Sequence, residues 1–320
     1  MKAIFYSTKI NEKDLLIESN QQKHEITFTS KALDKDTICY VKGMDAVVVF
    51  TNDDLAAPII KTLAEHGIKY IATRSVGIDH IDQEAAKKYD IKVANIPDYS
   101  PQAIAEHAVM LAMALSRHLI QSNQQCRAFN FSLDHLTGFN FYGKTVGIIG
   151  LGHIGAAVAP IFHGLGCKVL GYDTASKKTK HVKFVDLDTL YLESDVISLH
   201  IPLSPETRHI IDTSSIKKMK TGVMIINTAR GELIKTTDAL EALKTGKIGY
   251  LGLDVYEYEK GLFFEDHEVD QFRDFLFSEL MKNPNVLITP HQAFLTKEAL
   301  QEISTQIIAT LDHWNSLIQE

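Results

Sequence analysis

Two α/β domains built on parallel sheets are what this sequence predicts, and three observations predict them. Short apolar runs alternate with helical patterns along the whole chain, the rhythm of parallel strands joined by crossover helices. A Gly-x-Gly-x-x-Gly turn follows one such run almost halfway along, in VGIIGLGHIG, Val146 to Gly155. The chain's 320 residues are about twice the common size of one domain.

The first half supplies AIFYS, HEITF, DAVVVF, YIATRS and KVANI as strands, with helical stretches such as DDLAAPIIKTLAEHG between them. In PDYSPQAIAEHAVMLAMALSRHL, Ser100 can cap a helix and Pro101 can stand at its first position, where the missing N–H costs nothing. The domain boundary is expected there. The alternation restarts with KTVGIIG, KVLGYD, DVISLH, VMIINTA, IGYLGLDV and NVLITP, and closes on an amphipathic helix from about Thr296 to Leu317. No Pro- or Ser-rich linker, low-complexity segment or short-period repeat interrupts it.

Composition narrows the class. Apolar residues make up 45% and charged residues 23%, the profile of a soluble globular protein rather than a disordered or fibrous one. A net charge of −7 argues against a nucleic-acid or membrane-surface binder, whose mark is a basic excess. An anionic substrate then needs a local cation. Cys39, Cys126 and Cys167 are odd in number and far apart, so neither a disulfide framework nor a metal site is expected. They read as reduced thiols in the cytoplasm. MKAIFYSTKINEKDLL lacks the apolar core and cleavage site of a leader, and no run approaches 18 apolar residues.

In GLGHIG the glycines have separate tasks: Gly150 makes the tight turn, Gly152 admits a pyrophosphate, and Gly155 lets the helix pack on its strand. His153 and Ile154 lie between them, at a helix N-terminus whose unpaired N–H groups suit an anion. KVLGYD follows as a second strand ending in Asp173, where an acid hydrogen-bonds the adenosine ribose. Its charge would repel a 2′-phosphate, which favours NAD over NADP. Asp173 could instead merely end a strand, and Lys177, Lys178 and Lys180 leave some NADP use open.

Ligands of open parallel sheets bind beyond the carboxyl ends of the strands. VMIINTA is followed there by Arg230, IGYLGLDV by the acids of YEYE, and NVLITP by His291. Singly, Arg230 could be a solvated loop cation, Glu259 a surface acid and His291 a satisfied histidine beside a proline. Jointly, next to a nicotinamide site, they suit hydride transfer to a 2-oxo acid. Arginine holds the substrate carboxylate in a planar fork, histidine exchanges the proton at the carbonyl oxygen, and a carboxylate orients the imidazole and favours its charged form.

With GLGHIG and Asp173, the motifs HIPLSPETRHIID, INTARGELI, GLDVYEYE and TPHQAF make the sequence resemble the D-isomer-specific 2-hydroxyacid dehydrogenases along essentially its whole length. The resemblance implies two doubly wound parallel-sheet domains, Rossmann and flavodoxin-like. An NAD-binding domain, residues 100–295, is inserted into a substrate domain of residues 1–99 plus 296–320. It implies that Arg230 binds the carboxylate, that His291 is the acid/base, and that Glu259 rather than Glu257 pairs with it. It puts Asp254 and the backbone of Thr228 and Ala229 near the nicotinamide, and His200 and Pro202 beside the cofactor. It places the amides of Val76 and Gly77, in SVGID, on the substrate carboxylate, and Tyr99 and Phe294 at the pocket. Tyr99 could equally pack a hinge.

Lys260 stands where many members carry proline, and GLFFEDHEVDQFRDFLFSEL follows. That insertion resembles the fermentative D-lactate branch, as does YSTK, though an added lid or packing element would read the same way. The resemblance implies NADH-dependent reduction of pyruvate to D-lactate by a homo-oligomer, a dimer or tetramer. A bulkier 2-oxo acid is the nearest alternative, and an NAD-sensing binding protein of the same fold the more distant one.

Overall fold

The computed structural model describes residues 1–175, 179–269 and 274–319, so Lys177 and Lys178 lie outside the described residues. The chain divides into two compact units, Met1–Ser100 with Leu295–Glu320, and Pro101–Phe294. Ser100 and Leu295 both fall in the first unit, one residue beyond the edges read from the sequence.

The first unit is built on β1 (Lys2–Phe5), β2 (Glu25–Phe28), β3 (Ala46–Val49), β4 (Tyr70–Thr73) and β5 (Lys92–Ala94), all parallel, in the order β2-β1-β3-β4-β5. β3 and β4 are buried throughout, as their apolar runs require of strands covered on both faces. The helix Lys297–Gln319 completes this unit from the far end of the chain. Its Ile303, Ile307 and Leu311 are buried at four-residue spacing, and Trp314 stacks on Tyr70 with ring centroids 4.9 Å apart. The Met1 amine donates to Asn315 at 3.0 Å, and Asp312 accepts from Lys23 at 2.8 Å.

The second unit carries β6 (Thr145–Ile149), β7 (Lys168–Tyr172), β8 (Lys183–Phe184), β9 (Val196–Leu199), β10 (Val223–Asn227), β11 (Ile248–Leu253) and β12 (Val286–Ile288). They form a parallel sheet in the order β12-β11-β10-β9-β6-β7-β8. Separate apolar clusters cover its two faces. One gathers Leu190, Ile225, Leu240 and Leu251; the other gathers Ala108, Leu111, Leu115, Val158 and Phe162. Pro101 opens the helix Pro101–Ser116, which buries Ala105, Ala108 and Ala112, small residues that let helix and sheet approach. β8 was not legible in the sequence because both its residues are exposed and show no apolar alternation.

The chain runs outward from β6 to β8 and then returns to lay β9 against the other side of β6. That reversal leaves a crevice at the carboxyl ends of β6 and β9, the usual ligand position of this architecture. No single helix among the described residues is long and apolar enough to cross a membrane.

Candidate active site

β10, β11 and β12 are neighbours, and their carboxyl ends carry Arg230, Glu259 and His291 on one edge of the sheet. Here the fold joins two residues that stand 32 apart: His291 Nδ1 lies 2.8 Å from Glu259 Oε1. The other Glu259 oxygen accepts from the Tyr256 backbone N–H at 3.0 Å, so the carboxylate cannot swing away from the ring. Glu257, two residues earlier, belongs to a different network. It accepts from the Thr236 N–H at 2.8 Å and lies 2.7 Å from His209 Nε2.

His291 occupies a left-handed backbone conformation, φ +53°, unusual for a non-glycine residue. Asp254 secures it. Both oxygens of this fully buried carboxylate are engaged, one by the N–H of Gln292 at 2.9 Å and the Thr289 hydroxyl at 2.5 Å, the other by the N–H of Ala293 at 2.8 Å. The His291 N–H donates to the Asp254 backbone carbonyl at 2.7 Å. Because the Thr289 hydroxyl gives its proton to Asp254, it accepts from His107 Nε2, 2.9 Å away. His107 and Thr289 escaped sequence reasoning; the signals were EHA in the first turns of an apolar helix and the threonine of TPH.

Arg230 begins a 3₁₀ turn, Gly231–Leu233, and its Nη1 donates to the Ala229 carbonyl at 2.7 Å. Its own carbonyl takes the Asn227 side-chain amide at 2.8 Å, while Asn227 Oδ1 accepts from Ala229 N–H. Asn227 thus clamps both sides of Arg230's backbone. The inserted segment packs nearby as a structural element: Phe263 and Leu280 are buried, and the Phe264 ring lies 5.5 Å from the His291 ring.

Each glycine of the turn is required for its own reason. Gly150 sits at φ +91°, and a Cβ there would meet the His200 carbonyl oxygen at 2.5 Å. A Cβ on Gly155 would strike the Gly150 carbonyl. A Cβ on Gly152 would meet nothing within 4 Å, so the space beside this turn is open for a ligand. The helix His153–Gly164 begins here, presenting the Ile154 and Gly155 amides of its first turn. Asp173 links the turn to β7, accepting from Leu151 N–H at 2.6 Å and Ala175 N–H at 2.8 Å. On the segments that leave β9 and β10, His200 Nδ1 and Thr228 Oγ1 are buried without a hydrogen-bond partner among the described residues. Such orphaned atoms are costly unless a ligand or water meets them.

The family model of the D-isomer specific 2-hydroxyacid dehydrogenase NAD binding domain matches residues 109–293. This chain belongs to the D-isomer specific 2-hydroxyacid dehydrogenases. It is 46% identical to a D-lactate dehydrogenase of Escherichia coli over 98% of this chain and 96% of that one. Among solved structures it resembles the pyruvate reductase of Chlamydomonas reinhardtii, with 44% identity, a TM-score of 0.91 and coverage of 97% and 94% of the two chains. It also resembles the D-lactate dehydrogenase of Aquifex aeolicus complexed with NAD and lactic acid, with 32% identity, a TM-score of 0.88 and coverage of 98% and 95%.

The cofactor of this 2-hydroxyacid dehydrogenase is NAD. The residues fit it: the room beside Gly152 suits a pyrophosphate, each Asp173 oxygen keeps a lone pair for a ribose hydroxyl, and the segments leaving β9 and β10 each hold a buried polar atom without a partner among the described residues. Pro202 stands two residues beyond His200 on the loop leaving β9. Phe294 is half-buried and ends the second unit. In the first unit, Val76 and Gly77 lie just beyond β4, and Tyr99 lies beyond β5, half-buried.

Burial pushes the His200 imidazole down to about 3, while its Nε2 stays 2.8 Å from the Ser198 hydroxyl. In the unfolded chain it titrates near 6.5. The unfolded state therefore binds the extra proton between those values, and stability is lost as pH falls through that window. At pH 5 this amounts to about 1–2 kcal/mol. We expect His200→Gln to be less stable than the parent at pH 7 and to lose less stability on going to pH 5. Urea unfolding at both pH values measures it, and equal losses in the two proteins would refute it.

Proposed function

We propose that this chain catalyses the reversible NADH-dependent reduction of pyruvate to D-lactate. The observation that carries the reading is the His291–Glu259 pair, held on the sheet edge that also bears Arg230 and the glycine turn. The E. coli, Chlamydomonas and Aquifex relatives support lactate and pyruvate as its substrates. The Phe264 ring crowding His291 favours a short acyl chain over a bulky one.

NAD, when bound, supplies the hydride to the carbonyl carbon or takes it back. In the second unit Arg230 offers a fork for the substrate carboxylate, with Phe294 as a further substrate contact; in the first unit the Val76 and Gly77 amides are the groups for the carboxylate, with Tyr99 as a further contact. With Nδ1 committed to Glu259, His291 has Nε2 left for the substrate. As the C=O π bond breaks, Nε2 gives its proton to the oxygen; in oxidation the neutral ring takes that proton away. Asp173 would hold the ribose and Gly150 to Gly155 the pyrophosphate, with Asp254, Thr228 and Ala229 near the nicotinamide and His200 and Pro202 beside the cofactor.

The chain acts as a homo-oligomer, a dimer or tetramer, assembled through its cofactor unit. The helix Leu119–Arg127 buries none of its residues within the chain, and beyond it Phe129, Phe131 and Leu133 are 86%, 69% and 81% exposed. Apolar exposure on that scale marks a protein interface. The three unpaired cysteines agree with a reducing cytoplasm.

Incubation with NADH and pyruvate, 2-oxoisocaproate or phenylpyruvate tests the reading. NADH absorbance should fall fastest with pyruvate; a bulkier acid winning would reassign the substrate, and no turnover at all would leave only a dinucleotide-binding protein. Arg230→Lys should bind NADH normally but lose tenfold to a hundredfold in kcat/KM, because a point charge replaces a fork worth about 1.5–3 kcal/mol per charged hydrogen bond. Glu259→Gln keeps the shape of the acceptor beside His291 Nδ1 but removes its charge, so kcat for both reduction and D-lactate oxidation should fall about tenfold or more while NADH affinity stays near the parent's, and an unchanged kcat would remove Glu259 from the site. Phe131→Glu with Leu133→Glu should reduce the particle mass in sedimentation, and an unchanged mass would remove this face from the interface.

A further inference from the structure

The Ser75–Ile78 loop is fixed through its carbonyl groups. β4 and β5 are paired in register up to Ala72 and Ala94, so the segments that leave their carboxyl ends run side by side. The Ile96 N–H donates to the Ser75 carbonyl at 3.1 Å, and Asn95 Nδ2 donates to the Val76 carbonyl at 2.7 Å. Two successive carbonyls therefore point at the 95–96 segment. In a trans peptide the N–H is directed opposite to the C=O, so the N–H groups of Val76 and Gly77 both point away from it. Neither donates to a partner among the described residues, and Val76 is exposed. Consecutive N–H groups facing one side form an anion-binding concavity.

The next peptide is held separately. Ser75 Oγ donates to the Gly77 carbonyl at 2.7 Å, and because that uses its only proton, the Thr73 hydroxyl 2.8 Å away is the donor to Ser75. Of all these groups, Asn95 Nδ2 is the side-chain donor that sets the peptide between Val76 and Gly77. Without it nothing among the described residues holds that carbonyl back, and a rotated peptide would turn an oxygen instead of an N–H toward the ligand.

We propose that Asn95 is a positioning residue for carboxylate recognition: it holds the Val76 carbonyl so that the amides of Val76 and Gly77 present both N–H groups to the 2-oxo acid. The inference rests on the proposed 2-oxo acid reduction, with those amides at the carboxylate. A carboxylate keeps its charge from ground state to transition state, so loosening its grip weakens binding in both alike. That raises KM and leaves kcat at saturation.

Asn95→Ala and the near-isosteric Asn95→Leu both delete the donor, and the second preserves packing if the first does not fold. In each folded variant the KM for pyruvate, and the Kd of oxamate for the enzyme–NADH complex, should rise about tenfold, the scale of one hydrogen bond to a charged group. NADH affinity and kcat should stay within about twofold of the parent. Unchanged KM and oxamate affinity would overturn the proposal, and so would an NADH affinity that falls in step with oxamate, which would mean general loosening. If the parent enzyme turns over no 2-oxo acid, the proposed activity fails first and the role of Asn95 falls with it.

Discussion

The buried carboxylate of Asp254 is the constraint from which the catalytic edge is built. An ionised group removed from water is tolerated only when its oxygens are met by donors. Here Gln292, Ala293 and Thr289 supply them, all from the segment after β12. Meeting that demand curls the chain back through His291 into a left-handed turn, which aims the imidazole at Glu259. On its other side Asp254 donates its backbone N–H to the Asn227 carbonyl, and Asn227 in turn grips the backbone around Arg230. One residue at the end of β11 thereby ties together the ends of β10 and β12, and the proposed fork and proton donor take their positions from it.

How much of this could be read beforehand depended on the physics of each part. β3, β4, β9 and β10 are buried from end to end, so they announced themselves as apolar runs. The glycine turn was equally visible because left-handed φ and close backbone contact leave few residues acceptable. Glu257 and Glu259 were not separable by local pattern. Tyr258 lies between them, and the loop sends one acid to His209 and the other to His291, a choice made by strands far away in sequence. The resemblance to a family selected Glu259, and the geometry now supplies the reason.

Other features left little trace. Asn95 looks like any polar residue after a strand, and its work on Val76 exists only because β5 lies next to β4. His107 reads as one polar position in an apolar helix until Thr289 and Asp254 are brought against it. The inserted segment was visible as extra length, but only packing reveals Phe264 as a neighbour of His291. Local sequence carries periodicity and turn chemistry; it does not carry contacts between the ends of non-adjacent segments.

The closing helix has a consequence for the order in which the chain comes into being. Trp314, Leu311 and Ile307 cover a sheet whose strands are all encoded in the first hundred residues, and the Met1 amine bonds to Asn315. During synthesis that sheet emerges first and finishes last. Some two hundred residues must be added before its missing cover arrives, roughly ten to forty seconds at ordinary translation rates. The second unit is contiguous and can fold meanwhile. The nascent first unit must wait with Tyr70 uncovered, so chaperone binding, premature termination and loss of the last two dozen residues should all act on it rather than on the unit that carries the glycine turn.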